Sequence, residues 1–186
     1  MPTVRRGDRR AAPGPRMTTW YQFALIDCAG GPDRMATLQY HAAKDGLQHR
    51  SLFDRQPEAE HAAAAPWLLA LPHGAVRPTL DPWLAQLGRS NTGLTRLASE
   101  VPFDALFDHL EAQLDIALPD GTLALMRFFD PRAWLRYAGV LTVDQQLQLL
   151  GPALERQITL QGQEWTLARA DLRRLQEGAE RAAADP

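Results

Sequence analysis

Leu125-Met126-Arg127-Phe128-Phe129-Asp130-Pro131-Arg132 is an apolar run that ends abruptly in Asp-Pro-Arg. This pattern predicts a buried strand followed directly by a helix. Asp130 is a favourable N-cap acceptor, and Pro131 at the first helical position gives up an N–H that would lack a partner anyway. Arg127 lies inside this apolar stretch, so its charge requires a carboxylate or a partner surface.

The residues before this junction alternate between predicted strands and helices. Pro119-Asp120-Gly121 separates two short apolar stretches and predicts a β-hairpin, because Asp-Gly is a strong turn signal. Apolar residues recur at helical spacing from Phe103 to Leu114, which predicts an amphipathic helix. The remaining predicted strands are Trp20 to Asp27, His49 to Phe53, Pro66 to Leu71 and Gly93 to Ala98. The remaining predicted helices are Arg34 to Lys44 and Pro78 to Leu87, the second ended by Gly88.

The residues after the junction predict two short helices and a C-terminal portion. The helices are Arg132 to Tyr137 and Val143 to Leu150, the second capped by Thr142 and ended by Gly151-Pro152. A small hairpin from Gln157 to Ala168 and a charged helix from Asp171 to Ala184 follow. The whole pattern predicts an α+β fold, in which a mixed β-sheet is flanked by helices. We expect a main domain over residues 17–152 and a smaller hairpin and helix appendage over residues 153–186. Whether the appendage packs on the sheet stays open.

Charge is distributed unevenly along the chain. Residues 1–16 hold five arginines against one acid and show no apolar periodicity, so we expect a disordered basic extension there. Met17 begins the first patterned segment and is a candidate for the native start. Of 20 basic and 22 acidic side chains, 15 and 21 remain without this extension, which argues against nucleic-acid binding by the folded part.

Membrane and secretory signals are not evident in the sequence. No apolar run approaches the roughly 20 residues that a membrane-spanning helix needs. The N-terminal arginines are not followed by the apolar stretch of a secretory signal. Cys28 is the single cysteine, which excludes an internal disulfide bond and any multi-cysteine zinc site. We therefore expect a soluble cytoplasmic protein that interacts with neither nucleic acid nor membrane.

The sequence offers few candidates for catalysis or ligand binding. Cys28 follows a predicted strand, but a nucleophilic thiol needs a nearby base or a helix N-terminus. Asp27 ends that strand, and a bond to the following turn is its more ordinary role. None of the five histidines has metal-ligand spacing: His41, His49, His61, His73 and His109. We expect no catalytic residue, no cofactor and no metal site.

Several other segments accompany the junction in a fixed order. They are Phe23-Ala24-Leu25-Ile26-Asp27-Cys28-Ala29, Ser51-Leu52-Phe53, Ala65-Pro66-Trp67-Leu68, Pro119-Asp120-Gly121, Leu141-Thr142 and Leu149-Leu150-Gly151-Pro152. In this order and spacing, roughly residues 20–152 resemble the bacterial type VI secretion adaptor chaperones (Tap or TEC proteins), long catalogued as a domain of unknown function. The most specific block is Arg127 to Arg132. Phe129 replaces its usual tyrosine, and Ala133 stands where a branched aliphatic residue is common.

The resemblance implies a non-enzymatic function. Such adaptors bind a specific toxic effector in the cytoplasm and help to load it onto the tip of the VgrG spike. The implied partners are therefore a type VI effector and VgrG. This task requires a stable scaffold and a face that captures an effector segment.

Partner contacts are expected at the junction and on its helix: Arg127, Asp130, Arg132, Trp134 and Tyr137. The alternative for the charged residues is structural: Asp130 caps its helix, and an arginine pairs with Asp130 or with Asp27. The alternative for the aromatic pair is core packing. Two other functions stay open, namely an immunity protein that neutralises a toxin and a small hydrolase that uses Cys28 or Asp27.

Overall fold

The structure, a computed structural model, describes residues 20–184. The expected disordered extension over residues 1–16 and the candidate start at Met17 lie outside the described residues. The strands are β1 (Tyr21–Asp27), β2 (His49–Ser51), β3 (Pro66–Ala70), β4 (Leu94–Ser99), β5 (Asp115–Ala117), β6 (Leu123–Leu125), β7 (Ala153–Leu160) and β8 (Gln163–Ala168). The α-helices are α1 (Arg34–Asp45), α2 (Leu80–Arg89), α3 (Phe103–Glu111), α4 (Pro131–Tyr137), α5 (Val143–Leu150) and α6 (Arg169–Ala184).

Six strands form the main sheet in the order β2-β3-β1-β4-β7-β8, and β5 and β6 form a separate two-stranded sheet. The α+β class is confirmed. The expected mixed sheet is wrong, because every pairing in the main sheet is antiparallel. Strands joined by a helix do run in the same direction, as in β1–α1–β2 and β3–α2–β4. However, an antiparallel strand lies between the two strands of each such pair, so parallel neighbours never form.

The two faces of the main sheet are covered by different parts of the chain. On one face, the ring of Phe23 in β1 packs against Phe103 of α3, with their centroids 6.2 Å apart. On the other face, α2 approaches β7 so closely that a Cβ at Gly88 would lie 3.0 Å from the Thr159 methyl carbon. Gly88 was expected to end α2, but the helix continues to Arg89. This glycine therefore permits close packing of α2 on the sheet.

The C-terminal portion continues the main sheet. β7 pairs with β4 from Leu94 opposite Thr159 to Ser99 opposite Ala153, and β8 forms the sheet edge beyond it. α6 returns along α5, where the Gln176 side chain donates to Asp144 at 2.7 Å and Leu172 is buried. Residues 153–184 therefore pack on the domain and are not a detached appendage.

The junction between the hairpin and α4 differs from its sequence prediction. The buried strand expected through Phe129 is wrong, because β6 ends at Leu125 and the following residues form a turn. The Met126 N–H donates to the Leu114 carbonyl at 2.6 Å, and the Asp130 N–H donates to the Arg127 carbonyl at 3.1 Å. The two phenylalanines are nevertheless buried, since the turn folds them into the core.

The start of α4 is confirmed. Asp130 caps the helix by accepting from the backbone N–H of Arg132, and Pro131 occupies the first turn. The start of α5 is confirmed as well, because Thr142 and Gln145 form a reciprocal capping box. Capping by neighbouring residues therefore determines where α4 and α5 begin.

Candidate functional site: a buried carboxylate pair beneath two arginines

Five charged residues from distant parts of the chain meet beyond the end of β1. We call them the Asp–Arg cluster: Asp27, Arg34, Arg127, Asp130 and Arg132. Asp27 is the last residue of β1, Arg34 is the first residue of α1, and the other three belong to the turn before α4 and its first residues. The tertiary fold therefore brings Asp27 together with Arg127, Asp130 and Arg132, three of the residues predicted to contact a partner.

Asp130 is the anchor of this cluster. Its Oδ1 accepts hydrogen bonds from the backbone N–H and the Nε of Arg132, both at 2.9 Å. Its Oδ2 accepts from Nη2 of Arg132 at 3.0 Å and from Nη2 of Arg127 at 2.9 Å. Burial raises the pKa of Asp130, but the hydrogen bonds from Arg132 and the charge of Arg127 outweigh burial and hold that pKa below its ordinary value. Asp130 therefore stays ionised at neutral pH.

Asp27 has a less favourable environment. Its Oδ1 accepts from the Ala29 N–H at 3.1 Å, whereas its Oδ2 is buried without a hydrogen-bond partner among the described residues. That oxygen lies 3.8 Å from Nη2 of Arg127 and 4.0 Å from Nη2 of Arg132. Burial and the neighbouring negative charge of Asp130 raise the pKa of Asp27, and the two arginines oppose this shift only in part.

Arg34 closes the cluster from the other side. Its Nη1 donates to the backbone carbonyl of Asp27 at 2.9 Å, and its Nη2 donates to the hydroxyl of Thr92. The side chain therefore joins the start of α1 to the segment before β4. A Cβ at Gly30 would collide with the Arg34 guanidinium, so this glycine leaves room for it.

The carboxylates of the cluster are buried, whereas the guanidinium groups of Arg127 and Arg132 are exposed to solvent. The side chains of Asp27 and Asp130 are 2% and 5% exposed, whereas those of Arg127 and Arg132 are 48% and 41% exposed. The carboxylates thus hold the arginines in place from below, and the arginines face the solvent. This surface therefore presents two oriented cations, whereas the carboxylate of Asp130 beneath them is almost inaccessible to solvent.

The aromatic residues predicted beside the junction lie deeper. Trp134 is 3% exposed and therefore presents no surface to a partner. The Tyr137 ring lies 5.6 Å from the Trp134 ring in an edge-on arrangement. The Tyr137 hydroxyl is buried without a hydrogen-bond partner in the described part of the chain, and burial raises its pKa. Trp134 therefore belongs to the core, and the half-buried Tyr137 packs against it.

Arg156 is a residue that sequence reasoning missed. It lies in β7, is 1% exposed, and places its guanidinium 4.3 Å from the ring centroid of Trp134 and 5.5 Å from that of Phe128. Burial lowers its pKa to about 10, so it remains charged at neutral pH. One sequence signal could have indicated that Arg156 faces the core. It lies two residues from the apolar Ile158, and alternate residues of a strand share a face. The predicted strand begins at Gln157 and so leaves out Arg156, whereas β7 includes it.

Cys28 is shielded directly beside the cluster. It is buried, and burial together with the charge of Asp27 raises the pKa of its thiol to about 12. A nucleophilic cysteine requires the thiolate, and this environment keeps Cys28 protonated.

Among residues 20–184 there is no group of three acidic, histidine or cysteine side chains arranged to hold a metal ion. No helix in the same range is long and apolar enough to cross a membrane.

Replacing Asp27 with asparagine is expected to change the pH dependence of stability. Above the ordinary aspartate pKa of about 4, the native state still holds a proton that the unfolded chain has lost. The free energy of unfolding of the wild type should therefore fall, relative to Asp27→Asn, as pH rises from about 4 through the raised pKa. Asp130 has the opposite effect on stability, because its folded-state pKa is lowered. The stability that its ionised carboxylate contributes is lost as pH falls below the ordinary aspartate pKa.

The measurement is urea unfolding of both proteins at intervals between pH 3 and pH 8. Asp33→Asn, which removes an exposed carboxylate outside the cluster, is the control. Parallel stability curves for the wild type and Asp27→Asn would show that burial of Asp27 does not shift its protonation.

One family model matches the chain. It is described as a domain of unknown function, DUF4123, and it matches residues 22–148, which is more than half of the 186 residues. The matched range includes the whole Asp–Arg cluster and ends within α5, before β7 and its Arg156. No curated protein and no solved structure matches the chain.

Proposed function

Because the chain belongs to the DUF4123 family, we propose that it is a cytoplasmic adaptor for type VI secretion. In this role it binds one specific effector and assists the loading of that effector onto the VgrG spike. The family is known in type VI effector-adaptor contexts, which supports the proposal. The protein acts by holding another polypeptide, and it makes or breaks no covalent bond.

The observation that carries the proposal is the outward presentation of Arg127 and Arg132 by buried carboxylates. A guanidinium held by a bidentate carboxylate loses little further side-chain entropy when a partner binds it. Only one nitrogen of Arg127 and two of Arg132 bond to Asp130, so the remaining N–H groups are available to a partner. Carboxylates or backbone carbonyls of an effector are suitable acceptors.

The proposal is tested by co-purification with the toxin encoded beside this chain and with its VgrG. The variants are Arg127→Gln and Arg132→Gln, which remove the charge but keep a donor near Asp130. Each is expected to weaken toxin retention about tenfold, since one charge-assisted hydrogen bond contributes on the order of 1.4 kcal/mol. Arg136→Gln is the matched control, because Arg136 is an exposed arginine of the same helix outside the cluster.

Thermal unfolding of each variant separates lost binding from lost structure. A folded wild-type chain that retains neither toxin nor VgrG would overturn the adaptor function. Retention of the toxin together with protection of a cell that expresses it, without any effect on secretion, would favour the immunity alternative.

A further inference from the structure

The β5–β6 hairpin carries a concentration of exposed apolar side chains. Four of its large apolar side chains are exposed, with fractions between 40% and 69%: Ile116, Leu118, Leu123 and Leu125. Cross-strand register places Ala117, Leu123 and Leu125 on one face of the hairpin, and Ile116 and Leu118 on the other. A two-stranded hairpin with apolar residues on both faces is at best marginally stable when it stands alone in water.

The hydrogen-bond pattern identifies which backbone groups of the hairpin remain open. Met126 bonds to Leu114 and Leu118 bonds to Thr122, so these are hydrogen-bonded pairs of the ladder. Such pairs alternate with non-bonded pairs in an antiparallel ladder. The backbone N–H and C=O groups of Asp115 and Ala117 therefore point away from β6. β5 pairs only with β6 among the described strands, so this outer edge is unoccupied.

The negative charge of the hairpin indicates which side chains a strand paired with β5 would carry. The chain from Phe103 to Met126 contains no lysine or arginine. The α3 carboxylates are paired with Arg50 and Arg55, but Asp115 and Asp120 take part in no ion pair among residues 20–184. Hydrogen bonds from Thr122 hold the pKa of Asp120 below its ordinary value, so its charge persists. A complementary strand therefore carries basic residues among its apolar ones.

We propose that the outer edge of β5 captures an extended, apolar and basic segment of the cargo polypeptide as a third strand. The cargo backbone pairs with the open groups of Asp115 and Ala117, and a cargo lysine or arginine lies opposite Asp115. Apolar cargo side chains extend the exposed face around Leu123 and Leu125. This mode of recognition is strand addition, in which backbone bonds provide affinity and side chains provide specificity. The inference rests on the proposed adaptor function and adds a second contact surface for the cargo beside the exposed arginines of the Asp–Arg cluster.

The test uses the full chain and overlapping 15-residue peptides that cover the neighbouring toxin, measured by fluorescence anisotropy. Ala117→Pro removes an outward N–H without touching a ladder bond, whereas Ala117→Val keeps that N–H. We expect the proline variant and Asp115→Lys to weaken binding of the best peptide at least tenfold. Ala117→Val should stay within about threefold of the wild type, because valine suits a strand position and the outward N–H is retained. The bound peptides should contain alternating apolar residues and at least one lysine or arginine.

The second control is Leu175→Asp, which changes an exposed apolar residue of α6, away from the hairpin. We expect this variant to bind the peptide as the wild type does. Thermal unfolding of every variant tests whether it remains folded. If the wild type retains the whole toxin and Ala117→Pro retains it equally, the strand-addition inference is overturned while the adaptor function stands. If the bound peptides are acidic, or if sedimentation shows a dimer of this chain that Ala117→Pro dissolves, the proposed occupant is wrong. A chain that retains no toxin overturns both proposals.

Discussion

Asp130→Ala is expected to lower the free energy of unfolding by about 3 kcal/mol, because three supports disappear together. The first is the N-cap of α4, whose loss costs about 1 kcal/mol. The others are the charge-assisted hydrogen bonds to Arg127 and Arg132. Removing one partner of a buried ion pair costs roughly 3–5 kcal/mol. Because both guanidinium groups are about half exposed and can turn to water, the lower end of that range applies.

The matched variant is Asp130→Asn, which retains a cap acceptor and removes the charge. It should cost less than Asp130→Ala, since asparagine caps helices about as well as aspartate. Urea unfolding at pH 7 measures both. Equal losses for the two variants would show that the cap contributes nothing. A loss below about 1 kcal/mol for Asp130→Ala would show that the cluster does not depend on this carboxylate.

A double-mutant cycle with Asp27→Asn extends this prediction. The Oδ2 of Asp27 accepts no hydrogen bond among the described residues but lies within 4.0 Å of Nη2 of both arginines, so they can turn toward it when Asp130 is absent. Removing both carboxylates should therefore cost more than the sum of the single losses, by about 1 kcal/mol. Additive losses would mean that the two carboxylates act independently.

Arg156→Ala is expected to have the largest effect on stability, a loss of about 4 kcal/mol. The substitution leaves a cavity beneath Trp134 and Phe128, and large-to-alanine changes in a core cost 2–5 kcal/mol. It also removes a desolvated cation–π contact with Trp134, which contributes on the order of 2 kcal/mol. β7 would then lose the contact of Arg156 with Phe128 in the turn that precedes α4.

The matched variant for this site is Arg156→Met, which fills most of the volume without a charge. Two guanidinium nitrogens of Arg156 have no hydrogen-bond acceptor among the described residues. Removing this buried charge therefore offsets the lost cation–π contact, and we expect Arg156→Met to remain within about 1 kcal/mol of the wild type. Unfolding in urea measures both variants. An equally large loss for both would assign the stabilisation to the charge itself rather than to packing.

The sequence by itself determined the features that depend on neighbouring residues. Asp130-Pro131 starts a helix because the acceptor and the fixed φ are built into two adjacent residues, and Thr142 with Gln145 starts the next one in the same way. The hairpin at Asp120-Gly121 follows from the same kind of local signal, since Gly121 adopts the positive φ that the turn requires. Periodicity also located most strands and helices to within a few residues.

Only the tertiary structure decided which distant residues meet. An antiparallel sheet arises here because β3 and β1 lie between strands that helices connect, and strand order is a property of the whole packed chain. The pairing of Asp27 with a turn about one hundred residues later, and the burial of Arg156 under Trp134, depend on that order. Sequence patterns report the solvent exposure and periodicity of a segment, whereas contacts between segments are settled by the packing of all of them together.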